Sequence, residues 1–326
     1  MSDYERHIDP ELAAVLANLP ERTVTDVAIR RQELARMLAM LSGNRVPDPR
    51  VTHQDWTAPG WPGDPDVRIR VYRPVATTGA LPGLYWIHGG GHIAGSIDND
   101  DFQCAELAIR HSCAVVSVEW RLSPENPYPA ALHDAYAGLR WAVDQADEIG
   151  IDPDRLGIAG ASSGGGLAAG LALMVRDRSE LALSFQMLVY PMLDDRTVCS
   201  GRRIEYSKVW NSAANSLGWR SYLGQLFNSD KVPGYAAPAR AADLSGLPPT
   251  SIFVGSLDLF ADEDLEYARR LVAVDVAVEL HVYPGAVHAF DVIAPSSRLS
   301  EQFRRDRDAV LDRALVRRST LDGRSS

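Results

Sequence analysis

Three cysteines in 326 residues, Cys104, Cys113 and Cys199, are too few for a disulfide framework, and without a C-x-x-C pair they outline no zinc site. They read as buried free thiols of a reducing compartment. Lysine is almost missing, with only Lys208 and Lys231 among 33 basic residues, a compositional bias with no functional content of its own. Positive charge is in deficit against 43 acidic residues, for a net charge of −10. That balance leaves no electrostatic footprint for phosphate backbones or anionic membrane surfaces, so nucleic acid and membrane are not expected as partners. The opening MSDYERHIDP carries Asp3, Glu5 and Arg6 and no apolar run, so no secretory leader is expected, and with the acidic balance and lone cysteines the expected location is cytoplasmic. H-E-x-x-H, G-x-x-x-x-G-K-[ST] and any Cys/His cluster are missing as well, so neither a metal nor an organic cofactor is implied. Uncharged from end to end, Leu156 to Val175 has the length of a membrane span. Its six glycines and adjacent Ser162 and Ser163 fit a buried strand, a tight turn and a buried helix better.

What is present is ordinary for a globular protein, with 46% hydrophobic and 23% charged residues and length enough for a large core. At roughly 150 residues per domain the length suggests two domains. Residues 9–42 read as two helices. Asp9-Pro10 supplies a cap and a first-turn proline, Leu12, Val15, Leu16 and Leu19 recur at helical spacing, and Leu34, Met37, Leu38 and Leu41 follow before a stop at Gly43. Proline and glycine in 44–65 suggest a boundary. From residue 66 short apolar runs at 83–87, 113–118, 156–159, 183–190, 251–255 and 276–283 alternate with helical stretches near 101–111, 130–149, 164–177, 262–273 and 297–317. An alternating segment with Val67, Ile69 and Val71 precedes them. The pattern predicts a doubly wound, mainly parallel α/β sheet. About sixty residues after Pro191 lack a strand and carry Tyr206, Trp210, Trp219, Tyr222 and Phe227, as an insertion over a binding crevice would.

Gly160-Ala161-Ser162-Ser163-Gly164 fits G-x-S-x-G between a buried strand and a small-residue helix, the setting of a nucleophile elbow. Ser162 is the candidate nucleophile. A serine hydroxyl needs a base held by an acid, in the chain order Ser, Asp or Glu, His. Only His281 and His288 follow Ser162, and His281 lies mid-strand, so His288 is the candidate base. Asp258, just past the strand SIFVG, is the candidate acid, with Asp262 and Asp264 reading as carboxylates of the following helix. His88-Gly89-Gly90-Gly91 follows the strand GLYWI, where amides of Gly90, Gly91 and Ser163 would hold an oxyanion, with His88 and Gly89 as structural neighbours. Gly89-x-Gly91-x-x-Ala94 with Glu119 also matches a dinucleotide fingerprint. No helix opens there, however, and the aspartates of SIDNDD would repel a pyrophosphate.

Together HGGGHIAGS (88–96), EWRLSPENPYPAAL (119–132), GASSGGGLAA (160–169), GSLDLFADEDLEYA (255–268) and YPGAVHAF (283–290) resemble the bacterial hormone-sensitive-lipase family (family IV) of α/β-hydrolase carboxylesterases. The resemblance implies a mostly parallel eight-stranded sheet with helices on both faces and a helical cap. It divides the chain into cap helices at 1–45, a catalytic core at 46–190 and 241–326, and a cap insertion at 191–240. It implies hydrolysis of short- to medium-chain acyl esters through a Ser-His-Asp triad and an acyl-enzyme, and often a homodimer paired through edge elements. Ala161 and Ser163 stand where family members often carry Asp and Ala, and His92 where an aromatic residue is usual. His92, Tyr206 and Trp210 are therefore candidates for the substrate pocket, although the aromatic residues of 206–227 read first as packing. Lactone, amide or carbamate hydrolysis would use the same three residues, and a non-catalytic ligand-binding homologue would keep the fold.

Overall fold

A computed structural model describes residues 7–19, 26–42, 46–197 and 208–316, with the side chains of 38–42 outside that description. Helix α1 (Pro10–Ala17) begins where the cap residues demand, because Asp9 Oδ1 accepts from the amides of Glu11 and Leu12 and Pro10 needs no acceptor. Helix α2 (Val27–Ser42) is capped alike by Asp26, which accepts from Ala28 and Ile29. The expected stop at Gly43 and the side chains of Leu38 and Leu41 lie outside the described residues, as do Cys199 and Tyr206.

Eight strands form one sheet: β1 (Val51–Ala58), β2 (Val67–Pro74), β3 (Leu81–Ile87), β4 (Ala114–Val118), β5 (Ile151–Ala161), β6 (Gln186–Val189), β7 (Thr250–Gly255) and β8 (Val278–Tyr283). Their order is β1-β2-β4-β3-β5-β6-β7-β8. Only β2 runs antiparallel to its neighbours; every pairing from β4 to β8 is parallel. The apolar runs of β3, β4 and β6 are buried on both faces, since helices cover both sides of a parallel sheet, whereas the run at 276–283 forms edge strand β8, where Leu280 and Val282 are exposed. β1 corrects the reading of 44–65 as boundary alone. VTHQDWTA is an edge strand with four consecutive exposed residues, so it shows no apolar face, and mainly Trp56 and Ala58 tie it inward.

The remaining helices are α3 (Asp101–His111), α4 (Ala130–Asp144), α5 (Ala146–Ile149), α6 (Ser163–Arg178), α7 (Ser212–Leu223), α8 (Ala261–Val272), α9 (Phe290–Ile293) and α10 (Arg298–Ala314). The single helix expected at 130–149 is thus α4 and α5, broken at Gln145. On one face α4, α6 and α8 bury Leu139, Leu171 and Leu271 against Ile158 and Ile252. On the other, Leu12 of α1, Leu107 of α3 and Leu311 of α10 join Trp86, Val115 and Phe253. Each such side chain contributes about 1.5–3 kcal/mol when fully buried. The uncharged stretch Leu156–Val175 resolves into the end of β5 and most of α6, and no helix among the described residues is long and apolar enough to cross a membrane. Parallel β3, β5, β6, β7 and β8 all end at the same edge of the sheet. His88, Ser162, Tyr190, Asp258 and His288 leave the sheet from those ends.

Candidate active site

Ser162 sits between β5 and α6 with φ +56° and ψ −121°, a conformation costing about 1–3 kcal/mol for a residue with a side chain. Its surroundings impose that turn. A Cβ on Gly160 would lie 2.3 Å from the carbonyl oxygen of Gly164, and one on Gly164 would lie 2.2 Å from that of Ile87. The two glycines of the motif are therefore steric requirements of the elbow. The Ser162 amide donates to Val189 O at 2.9 Å, and its carbonyl accepts from Gly166 and Met192.

The hydroxyl of Ser162 donates to His288 Nε2 at 3.0 Å, and His288 Nδ1–H donates to Asp258 Oδ2 at 2.8 Å. Asp258 is buried, and its other oxygen accepts from the Phe260 amide at 3.0 Å. Tyr190, Phe260 and Trp210 surround the imidazole, at ring-centroid distances of 4.8, 5.1 and 6.3 Å. Tyr190 in turn donates its hydroxyl to Asp291. The rivals are placed elsewhere. His281 of β8 stacks on Phe253 and pairs with Glu279, Asp262 is exposed in the first turn of α8, and Asp264 is buried in that turn with neither carboxylate oxygen bonded among the described residues.

Past β3, His88 Nδ1–H donates to Gly89 O at 2.9 Å and the ring stacks on Trp120, while burial pushes its pKa down to about 4. Gly90 and Gly91 follow at φ +135° and +64°. Their amides donate to no backbone carbonyl among the described residues, and Ser163, first residue of α6, has no intrahelical acceptor. The elbow and the glycine loop are in contact, since a Cβ on Gly89 would lie 2.8 Å from Ala161 O.

Trp210 lies against this loop, and His92 follows it into the cap. The residue is 1% exposed, its backbone has φ +64°, and its ring stacks on Tyr222 of α7. Sequence reasoning passed over Tyr190 and Glu263. Tyr190 was visible as the residue ending a buried strand before Pro191. Glu263 is buried and accepts from the amides of Leu193 and Asp194 and from the Thr197 hydroxyl, tying α8 to the start of the insertion.

A sheet with one reversed strand and a serine at a strained β5–α6 turn defines an α/β-hydrolase. Comparison narrows the class. A family model described as alpha/beta hydrolase fold (Abhydrolase_3) matches residues 84–292. Esterase LipI of Mycobacterium tuberculosis is 33% identical over 293 residues, covering 89% of each chain. Carboxylesterase NlhH of the same species is 36% identical over 289 residues, covering 87% of this chain and 88% of that one. Among solved structures, a bacterial heroin esterase superposes with a TM-score of 0.91 at 38% identity, covering 95% of this chain and 98% of that one. The chain belongs to the hormone-sensitive-lipase family of α/β-hydrolases.

Proposed function

We propose that this protein is a serine carboxylesterase acting on short- to medium-chain acyl esters, with Ser162 as nucleophile, His288 as base and Asp258 as the orienting acid. The observation that carries the reading is the unbroken hydrogen-bond chain from Ser162 Oγ through both nitrogens of His288 to Asp258. Ser162 Oγ attacks the ester carbonyl while His288 Nε2 takes its proton, and Asp258 stabilises the imidazolium. Amides of Gly90, Gly91 and Ser163 receive the oxyanion. Collapse of the tetrahedral intermediate breaks the C–O bond, His288 returns the proton to the leaving alcohol, and water deacylates Ser162 by the same route. The relatives named as esterases support ester over lactone or amide substrates.

In this reading the core spans 46–190 and 241–326, with 1–45 and 191–240 as cap, and Trp210 at the pocket. The buried free thiols of Cys104 and Cys113 support a cytoplasmic location. Exposed Leu280 and Val282 on edge strand β8 support a homodimer. The test is hydrolysis of p-nitrophenyl acetate and butyrate by the wild type and by Ser162→Ala. Activity is expected only in the former, and equal rates would remove Ser162 from the mechanism.

A further inference from the structure

The glycine run 89–91 is pinned by a histidine at each end. His88 stacks on Trp120 at 4.7 Å, and His92 meets the same indole edge-on at 6.2 Å. From there the contacts pass into the cap. The His92 ring lies 3.9 Å from that of Tyr222 with planes 4° apart, and 5.5 Å from that of Trp219. Cap helix α7 touches the glycines directly too, since a Cβ on Gly218 would fall 2.6 Å from Gly91 O. The backbone after the run is held as well: Ser123 donates its amide to His92 O, and Arg31 of α2 donates Nε–H to Ile93 O.

Among the described residues neither ring nitrogen of His92 has a hydrogen-bond partner, although the side chain is buried. An imidazole kept for its polarity would not be left so, because an unsatisfied buried polar group costs about 1–3 kcal/mol. The ring also sits on a residue with φ +64°, a further cost for a non-glycine. The compensating gain is the stack. Glycines are the least self-organising residues, whereas oxyanion donors act through being fixed before charge develops.

We propose that His92 is a positioning residue for the oxyanion loop, locking Gly90 and Gly91 to cap helix α7 through its stack on Tyr222, so that the cap is part of the catalytic machinery. The proposal rests on the reading of Gly90 and Gly91 as oxyanion donors. It assigns His92 a role through shape, which another flat ring can fill, and none in proton transfer.

The test compares wild type, His92→Ala, His92→Phe and Gly218→Ala for kcat, KM and affinity for an aryl trifluoromethyl ketone, whose Ser162 adduct places an oxyanion in the hole. His92→Ala is expected to lose about 10- to 100-fold in kcat and the same factor in ketone affinity, with KM within about twofold. His92→Phe restores both to within about threefold of wild type. Gly218→Ala, whose methyl presses on Gly91 O, lowers both as His92→Ala does, and carries the test if His92→Ala does not fold. Wild-type kcat in both His92→Ala and Gly218→Ala overturns the proposal. So does a kcat loss in His92→Phe equal to that in His92→Ala, which would make the imidazole chemical rather than spatial. If instead wild-type ketone binding proves independent of Ser162, the reading of the site fails, and the proposal with it.

Discussion

Trp210 lies so close to Gly91 that a Cβ on the glycine would fall 2.0 Å from Cη2 of the indole. The same indole faces His288, lies under the Arg30 guanidinium at 5.5 Å and donates Nε1–H to Asn215. One cap side chain thus meets the base on one side and the oxyanion loop on the other. Gly91→Ala forces the loop or the indole to move. Its kcat on p-nitrophenyl butyrate is expected to fall about 10²–10³-fold, the scale of one lost oxyanion donor, and its thermal midpoint to fall too, since alanine at φ +64° is strained by about 1–3 kcal/mol.

Removing the indole leaves a void between the base and the glycine loop. Trp210→Ala is expected to shift the optimum in an acyl-chain series from acetate to decanoate toward longer chains, read as kcat/KM. An unchanged profile would place Trp210 outside the acyl path.

Asp258 holds one tautomer of His288 through its bond to Nδ1. Asp258→Asn preserves shape but permits the wrong tautomer, so kcat is expected to drop about 10⁴-fold with folding intact. Circular dichroism beside kcat checks both halves of that statement.

Burial pushes the pKa of His88 down to about 4 and that of His92 to about 3, from 6.5. The fold therefore favours their neutral forms, while the unfolded chain takes up protons first as pH falls below 6.5. Their contribution is intact above pH 6.5 and is lost as pH falls toward the folded values, by about 2–3 kcal/mol per histidine at pH 4.5. His92→Phe removes one of the two, so the difference in urea-unfolding free energy between pH 7.5 and pH 4.5 is expected to shrink by about that amount.

Asp264 has the opposite sign. Burial, with Glu263 and Asp258 close by, pushes its carboxyl well above the usual 3.8. A raised carboxyl pKa leaves stability intact below the unfolded value and erodes it as pH climbs toward the folded one. Asp264→Asn cannot ionise, and is expected to raise the thermal midpoint at pH 7.5 but not at pH 3.5. The gain comes from the charge alone, because the amide keeps polar atoms in the same buried place. Equal shifts at both pH values would show that charge is not the cause.

The features legible in the sequence were those where one physical demand controls several residues. Ser162 declared itself because a strained turn needs glycine two residues to either side, and the parallel strands because burial on both faces admits few polar residues. His288 emerged once His281 was assigned to a strand interior, where it does stack on Phe253. Strand β1 was not legible, because its ladder with β2 is made by the backbone and only Trp56 and Ala58 report inward packing. The burial of His92 was equally hidden: it depends on Tyr222, 130 residues away, which propensity and period do not reach. The same holds for Glu263, whose three donors lie about seventy residues upstream.

The N-terminal helices finally bear on the order in which this molecule assembles. Glu11 of α1 bonds Arg298, 287 residues further along, and Arg30 of α2 bonds the Val209 carbonyl, 179 residues on. Beside it, Arg31 reaches Ile93 and Ser123 of the core. Contacts of such sequence separation form late, because the loop-closure cost is met before they give any return. On a growing chain these helices precede their partners by up to 287 residues, and the glycine loop stands without its clasp until the insertion has been made.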